Sequence, residues 1–260
     1  VVNSGDIIAA APDFVIAVAS TQAKTTHVPT FAAVHEPRTR SWEDESYFSN
    51  LLTYDGYLTI SESLHKFLRA FCAGFGKDPT VGFYYNTPQR QVIAADIPWL
   101  VENGMLRVCY FGTNWDPRSR PLFREMAARP FFEVRGPENS WKYLKQGYRG
   151  SVPFDGQSVQ SMYAAKGAGL VVLSRNHALD DVISNRIFEI TSVGAAAICP
   201  NQPWIREHFG DTVFYYEPWG AASEIAVRID EIVEDIRSAP QACAERCGAA
   251  MRDVQRSGRI

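Results

Sequence analysis

The sequence predicts an α/β protein made of two Rossmann-like domains, in which parallel strands alternate with covering helices. Two observations lead to this fold class. Short apolar runs of strand length alternate with amphipathic stretches almost to the end of the 260-residue chain. One amphipathic stretch also places four isoleucines at the spacing of a single buried helix face, namely Ile225, Ile229, Ile232 and Ile236.

The first domain is predicted over residues 1–103, with strands at 14–19, 29–34, 56–60 and 81–85. A helix over 61–73 lies between the third and fourth strands. Ser61 is a suitable N-cap because its hydroxyl can accept a bond from a free N–H of the first turn. The apolar face of this helix is predicted to comprise Leu64, Phe67, Leu68 and Phe71.

The second domain is predicted over residues 104–240 as a six-stranded parallel sheet. The boundary falls there because the stretch 91–104 contains Pro98 and ends in Glu102-Asn-Gly. Residues 241–260 are predicted to be a C-terminal helix, a candidate for packing back on the first domain. The six strands are expected at 106–111, 131–134, 148–152, 169–173, 195–199 and 212–216.

Composition excludes several classes of protein. The chain is 46% hydrophobic and 21% charged, as globular proteins are, and it has no apolar run of about 18 residues that would span a membrane. A net charge of −3 gives no basic field for nucleic acid. The five cysteines form no Cys-x-x-Cys pair, which favours buried thiols in a reducing cytoplasm; Cys243 and Cys247 lack partners for a zinc site.

The loop after the strand at 106–111 is the first candidate for chemistry. It opens with Gly112, which lets backbone approach a ligand closely, and continues to Arg118 and Arg120, which suit bidentate contacts with phosphate oxygens. The alternative is a surface turn with solvated arginines.

The loop and helix after the strand at 169–173 give a sharper pattern. Ser184 is predicted to cap a helix over 185–193 that ends at Gly194. A positive helix end with Arg186 in its first turn suits a diphosphate, and Glu189 is placed to accept bonds from ribose hydroxyls. In the alternative, Glu189 pairs with Arg186 on the surface, and Asp180 and Asp181 form a solvated loop.

The segment Ser184-Asn-Arg-Ile-Phe-Glu-Ile-Thr-Ser-Val-Gly-Ala-Ala-Ala-Ile-Cys-Pro resembles the donor-binding half of GT-B glycosyltransferases of the group 1 type, with their R-x-F-E-x4-G-A motif. The likeness covers roughly residues 106–237. It implies a nucleotide-sugar co-substrate and no other cofactor. The implied donor-binding residues are Gly112, Arg118, Arg120, His177, Asn185, Arg186 and Glu189.

Asp181 and Glu189 reproduce the spacing of the E-x7-E motif of retaining members, with Asp at the first position. This spacing favours retention over inversion and makes Asp181 a candidate catalytic residue. The two arginine-bearing loops offer charge for the diphosphate without a metal, and no Asp-x-Asp motif is present.

The first third resembles the later part of a GT-B acceptor domain, on the segments 33–37, 54–61 and 74–77. Such a domain begins with further strands, so the N-terminal domain is expected to be incomplete. His35 follows the strand at 29–34 and is a candidate general base or sugar contact, against a purely structural role. Glu36 and Asp55 are rival bases.

Together these features predict a cytoplasmic glycosyltransferase, placed in the cytosol or at the inner face of the membrane, that acts on a glycan or lipid-linked acceptor in surface polysaccharide or glycoconjugate synthesis. Two alternatives remain. One is a non-catalytic nucleotide-sugar-binding domain of a larger protein, and the other is an epimerase or phosphorylase of the same fold.

Overall fold

The computed structural model describes residues 4–18, 20–39, 44–84, 93–114, 116–153, 155 and 157–256. Contacts divide the chain into two compact units. Unit 1 comprises Val1–Tyr85 and Arg175–Ile183, and unit 2 comprises Asn86–Ser174 and Ser184–Ile260. Each unit contains one parallel sheet, which confirms the predicted α/β class.

The sheet of unit 1 has the strand order β1-β2-β3-β4, with all pairs parallel. All four predicted strands are present, although the predicted ends at Ala19 and Tyr85 lie outside the described residues. The strands are β1 Val15–Ala17, β2 Thr30–Val34, β3 Gly56–Thr59 and β4 Thr80–Phe83. The described helices of this unit are Ser4–Ala10, Glu45–Leu51, Glu62–Gly74 and Arg175–Leu179.

Helix Glu62–Gly74 covers one face of this sheet. Ser61 caps it as predicted, since its Oγ accepts from the Leu64 N–H at 3.2 Å. Leu68 and Cys72 are fully buried, and Phe67 and Phe71 pack at the margin of the same core. The other buried members of this core are Ala32, Val34, Tyr47, Leu51, Tyr54 and Tyr57.

The segment Arg175–Ile183 belongs to unit 1 because Asp180 is bonded there. Its carboxylate accepts from the Arg38 backbone N–H and from Arg38 Nε, each at 2.6 Å. Ser61 Oγ donates to the Asp180 carbonyl at 2.5 Å. Asp180 is only 3% exposed, so it is not a solvated loop residue.

Unit 2 has a five-stranded parallel sheet of order β6-β5-β7-β8-β9. The strands are β5 Arg107–Phe111, β6 Phe132–Arg135, β7 Gly167–Leu170, β8 Ala196–Pro200 and β9 Phe214–Tyr216. Two short 3-10 turns lie at Pro117–Ser119 and Gly210–Thr212. The described helices are Ile97–Glu102, Arg120–Ala127, Glu138–Trp141, Ser158–Lys166, Arg186–Thr191, Pro203–Phe209, Ala222–Ser238 and Pro240–Arg256.

The prediction of a sixth strand at 148–152 is wrong. Only Tyr148 joins the sheet there, through a single parallel bridge to Val134. Gly147 and Gly150 each have a φ of 83°, in the left-handed region, and this conformation interrupts an extended run.

Two further differences concern what packs in the core of unit 2. Helix Ile97–Glu102 contributes Ile97 and Leu100 to that core, so the division between units falls before this helix and not at residue 103. The C-terminal helix, predicted to pack on the first domain, contributes Cys243 and Cys247 to the same core of unit 2.

The isoleucine stripe of helix Ala222–Ser238 is confirmed. Ile229, Ile232 and Ile236 are fully buried, and Ile225 is 7% exposed. Within the described part of the chain, no helix combines the length and hydropathy needed to cross a bilayer.

Candidate functional site

The strand order of unit 2 reverses at β5, which marks a site. The chain goes from β5 to β6 on one side and then crosses to β7 on the other side of β5. In open parallel sheets, the crevice beyond the carboxyl ends of the strands at such a reversal is where ligands bind. Gly112 is the first residue after β5 and therefore lies at this point.

The backbone of Gly112 has a conformation that a residue with a side chain could not easily adopt. Its φ is 138°, and a Cβ there would collide with the Arg186 guanidinium. Its N–H continues the sheet by donating to the Arg135 carbonyl at 3.0 Å, and its own carbonyl accepts from Trp141 Nε1 at 2.9 Å. Gly136 after β6 has a φ of 148° and also needs its missing Cβ, which would meet the Gly112 carbonyl. At these two glycines no side chain covers the backbone, so a ligand can approach it closely.

Arg186 folds back over the end of β5. Its Nε donates to the Phe111 carbonyl, its Nη1 donates to Ser184 Oγ at 3.1 Å, and its guanidinium carbon lies 4.6 Å from the Tyr110 ring centroid. The cation is therefore held beside Gly112 by hydrogen bonds to neutral groups and by stacking. None of these contacts neutralises its charge.

Glu189 lies one turn further along the same helix. It is half-buried, and burial raises the pKa of its carboxyl group, while the charge of Arg186 lowers it. No donor among the described residues bonds its carboxylate. The Glu189 N–H donates to the Asn185 carbonyl, and the Glu189 carbonyl accepts from Ser192 Oγ. A partly desolvated carboxylate without donors is a group that a ligand hydroxyl would satisfy.

The helix that carries both residues is shorter than predicted. It spans Arg186–Thr191 with Asn185 at the N-cap, and the Asn185 side chain makes no cap bond. Ser184, the predicted cap, instead accepts bonds from Arg186. Gly194 ends the segment with a φ of 65°, as predicted.

The other two predicted arginines have partners other than Gly112. Arg118 is exposed and donates through Nε to Asp116 Oδ1 at 2.8 Å. Arg120 lies over the Tyr143 ring, 5.2 Å from its centroid, in the next helix. Of the three predicted arginines, Arg186 alone is shown against Gly112. Among the described residues, no group of three His, Cys, Asp or Glu side chains is arranged to hold a metal ion.

His177 and Asp181 lie in the segment that belongs to unit 1. His177 is in helix Arg175–Leu179, and its carbonyl accepts from the Val182 N–H at 2.8 Å. Asp181 has a φ of 53°, and its N–H donates to the Ala178 carbonyl at 3.4 Å. These two bonds form a Schellman motif, with Asp181 at the left-handed position that usually holds glycine. Asp181 therefore has a local structural role.

His35 has a hydrogen-bond partner that the sequence did not reveal. Tyr84 Oη lies 2.6 Å from His35 Nδ1, and the ring is also bonded to the Val18 backbone. Burial lowers the pKa of His35 and raises the pKa of Tyr84 to about 12. Tyr84 thus stays protonated beside the imidazole, and the His35 tautomer decides which of the two groups donates. The spacing between residues 35 and 84 carries no local signal of this pair.

Comparison with solved structures gives relatives in fold. HepE of Anabaena, solved with UDP and glucose, aligns with a TM-score of 0.59 at 13% identity, covering 88% of this chain and 67% of that one. Sucrose-phosphate synthase of Thermosynechococcus elongatus gives 0.56 at 13% identity, covering 90% and 67%. An E. coli trehalose-6-phosphate structure bound with UDP-2-fluoro glucose gives 0.57 at 10% identity, covering 88% and 64%.

This chain therefore spans about two thirds of the length of these structures. No protein-family model matches it, and a search of characterised proteins finds no match by sequence. At such low identity the likeness concerns the fold, and it confirms the GT-B fold class predicted from the sequence.

Proposed function

We propose that this chain is a glycosyltransferase that moves a sugar from a nucleotide-sugar donor to a hydroxyl group of a glycan or lipid-linked acceptor, without a metal ion. The observation that carries the proposal is the juxtaposition of Gly112 and Arg186 at the strand reversal of unit 2, with the donor-free carboxylate of Glu189 one turn away. The solved relatives of the same fold that hold UDP or a UDP-sugar support it.

Arg186 is the residue assigned to the diphosphate. When the bond between the sugar anomeric carbon and the phosphate oxygen breaks, negative charge grows on the leaving diphosphate. A guanidinium that is already fixed beside bare backbone at Gly112 stabilises that charge without reorganising. Arg118 and Arg120 are assigned to the same diphosphate if their loop turns inward on binding, and Asn185 and His177 to further donor contacts.

Glu189 is assigned to the ribose. Two ribose hydroxyls would each donate to its carboxylate, which would replace the water it loses on burial. Its raised pKa in the free protein then falls on binding, because donors stabilise the charged form.

The acceptor side rests on His35 and Asp181. The acceptor oxygen forms the new bond to the anomeric carbon while its proton passes to a base or to the leaving diphosphate. His35 is the assigned base or hydroxyl contact, with Glu36 and Asp55 as rivals. The Asp181-x7-Glu189 spacing supports retention. The reaction is placed in the cytoplasm, at or near the inner face of the membrane, in polysaccharide or glycoconjugate synthesis.

Titration of UDP into the Glu189→Gln variant tests the assignment that carries the proposal. The substitution keeps the shape and removes the charge, so affinity should fall by about 1.5–3 kcal/mol while folding is barely changed. Glu133→Gln is the matched control, since Glu133 is a mostly buried carboxylate of the same unit that pairs with Lys166 at 3.3 Å. Equal UDP affinity in Glu189→Gln and the parent protein would remove the ribose assignment.

Kinetics of Arg186→Gln then separate binding from chemistry. Because charge on the diphosphate is greater in the transition state, kcat should fall along with donor affinity. A raised KM with full kcat would mean that Arg186 binds ground state and transition state equally, which contradicts its assigned role.

A nucleotide-sugar-binding protein without transferase activity is the second candidate, and one observation favours it. The His35 ring already has two partners, Tyr84 at Nδ1 and the Val18 backbone, so the assigned base must exchange a partner before it can act. Incubation with labelled UDP-glucose and other nucleotide sugars distinguishes the two. Binding without transfer or hydrolysis would favour the second candidate.

A further inference from the structure

A cavity lies on unit 2, along the free edge of β9. It has a volume of about 580 Å³ and lies between that strand and helices Ala222–Ser238 and Pro240–Arg256. Three arginines line it, namely Arg206, Arg228 and Arg246. The volume is within the range of small-molecule sites. None of these three arginines belongs to the donor site at Gly112.

Two of the arginines are fixed by stacking on the strand itself. The guanidinium carbon of Arg206 lies 3.7 Å from the Tyr215 ring centroid, and that of Arg246 lies 4.0 Å from the Phe214 ring centroid. Arg206 Nε also donates to Asn201 Oδ1 at 2.8 Å. Stacked guanidiniums lose less freedom when they bind an anion, because their planes are already held.

These two cations lack counter-charges. Among the described residues, neither Arg206 nor Arg246 has a carboxylate at ion-pair distance, whereas Arg228 pairs with Glu231 at 2.8 Å. Arg246 is half-buried, and its Nε is a buried donor with no hydrogen-bond partner in the described part of the chain. A partly desolvated guanidinium with unused donors is costly unless an anion pairs with it.

Two carboxylates also line the cavity, and they limit what it can hold. Glu217 is engaged, since it accepts from Asn201 Nδ2 at 2.5 Å, and Asp235 is exposed at the rim. Because Arg228 is paired with Glu231, the described part of the lining leaves two unpaired arginines beside two carboxylates. An anion that also carries hydroxyl groups would suit this lining, because its charge would pair with the arginines and its hydroxyls would donate to the carboxylates.

The edge of β9 is closed to an added strand. Val213 and Tyr215 have carbonyls that do not pair with β8, and each accepts a bond from an arginine, Arg246 and Arg228 respectively. Strand addition needs such carbonyls free. A peptide strand is therefore not the ligand that this cavity favours.

We propose that this cavity binds a phosphate monoester of a small molecule, with Arg206 and Arg246 on the phosphate, at a site separate from the donor site. The inference does not depend on the proposed function. Guanidinium pairs match phosphate oxygens in geometry as well as charge.

Cys243 provides a reporter inside the cavity. It lines the wall and is 5% exposed, and the other four cysteines are no more than 1% exposed. A bond from the Cys247 thiol, 3.9 Å away, lowers the pKa of Cys243, and the charge of Arg246 acts in the same direction. Cys243 is therefore the thiol that a small alkylating reagent should reach first.

The test is the rate of iodoacetamide alkylation of Cys243, followed by peptide mass spectrometry, with phenyl phosphate, inorganic phosphate or chloride at equal ionic strength. Phenyl phosphate should protect Cys243 at millimolar concentration, and chloride should not. Arg206→Gln and Arg246→Gln should each weaken protection by about tenfold or more. Arg206 is exposed, so its variant keeps the test valid if Arg246→Gln fails to fold.

Arg237→Gln is the matched control, because Arg237 also lies over an aromatic ring, 5.5 Å from the Phe131 centroid, but pairs with Glu234 outside the cavity. Protection should be unchanged in that variant and in Arg186→Gln, whose site is elsewhere. Protection that is absent for both phosphates, or that survives both cavity substitutions, or that disappears in Arg186→Gln, overturns the proposal. Protection by inorganic phosphate alone would also contradict a monoester ligand.

Discussion

The two parallel sheets differ in strand order and in burial. The described strands of unit 1 follow the chain, β1-β2-β3-β4, whereas the order in unit 2 turns back at β5. Every residue of β7 and β8 is buried, but β1 and β4 contain no fully buried residue. Phe14, Ile16 and Val18 are each about half exposed or more.

The two units therefore differ in the contacts that stabilise them and in whether their strand order creates a ligand crevice. In unit 2 a mostly buried sheet contains the strand reversal, and the reversal creates the crevice at Gly112. Unit 1 is held in part by polar contacts between residues far apart in sequence, such as those of Asp180 with Arg38 and Ser61. Substitutions in the two units should therefore fail in different ways.

The largest effect is expected from apolar truncation in unit 2. Ile229→Ala should lower the free energy of unfolding by about 2–5 kcal/mol, because Ile229 is fully buried and leaves a cavity. Ile16→Ala, the matched change on β1, should cost less than about 1 kcal/mol since Ile16 is 49% exposed. Urea unfolding measures both, and equal costs would contradict the comparison.

In unit 1 we expect a substitution at a buried polar residue to lower the free energy of unfolding more than the apolar truncation Ile16→Ala does. Asp180→Asn removes the charge that Arg38 bonds, at a position 3% exposed, and should cost about 2–3 kcal/mol. The exposed pair of Glu62 with Lys66 supplies the control, because Glu62→Gln should cost less than about 1 kcal/mol. If Asp180→Asn unfolds at the same urea concentration as the parent protein, the bonds of Asp180 do not contribute to the stability of unit 1.

The third prediction concerns pH. Burial lowers the folded-state pKa of His35 below its ordinary value of about 6.5, so the unfolded chain binds this proton more tightly. The contribution of His35 is therefore present above about pH 6.5 and is lost as the pH falls toward the folded pKa, with a slope of up to about 1.4 kcal/mol per pH unit. Unfolding curves between pH 5 and about 8 should show this slope in the parent and not in His35→Gln. An unchanged slope in the variant would assign the effect to other groups.

The smallest effect is expected at Asp181. Glycine suits its left-handed φ of 53°, so Asp181→Gly should stabilise the protein by about 0.5–1 kcal/mol. If Asp181 also acts in transfer, turnover should fall as stability rises. A variant that is more stable and fully active would leave only the structural role.

Local patterns made most of the fold predictable. The isoleucine stripe is correct because its period reports a single buried face, and the Ser61 cap is correct because its signal lies within one turn. The prediction of a strand at 148–152 failed because Gly147, just before this segment, and Gly150, within it, adopt left-handed backbone. Extended and turned runs of this composition look alike in sequence.

The site was predictable in part for the same reason. Gly112 and Arg186 were identified from their own loops, yet their contact and the turning of Arg118 toward Asp116 depend on tertiary packing. The bonds of Asp180 join residues 142 and 119 positions apart, and that of Tyr84 with His35 spans 49. A single sequence contains no signal at such separations.

The return of Arg175–Ile183 to unit 1 affects how the protein is made. Synthesis on the ribosome proceeds from the N-terminus, and domains usually fold as they emerge. Here the described strands of the first sheet end at residue 83, but Asp180, which bonds to this unit, emerges about a hundred residues later, after much of unit 2. Until then the nascent N-terminal unit lacks the bonds that Asp180 makes with Arg38 and Ser61, and we expect chaperone binding or misfolding to be most frequent in this interval.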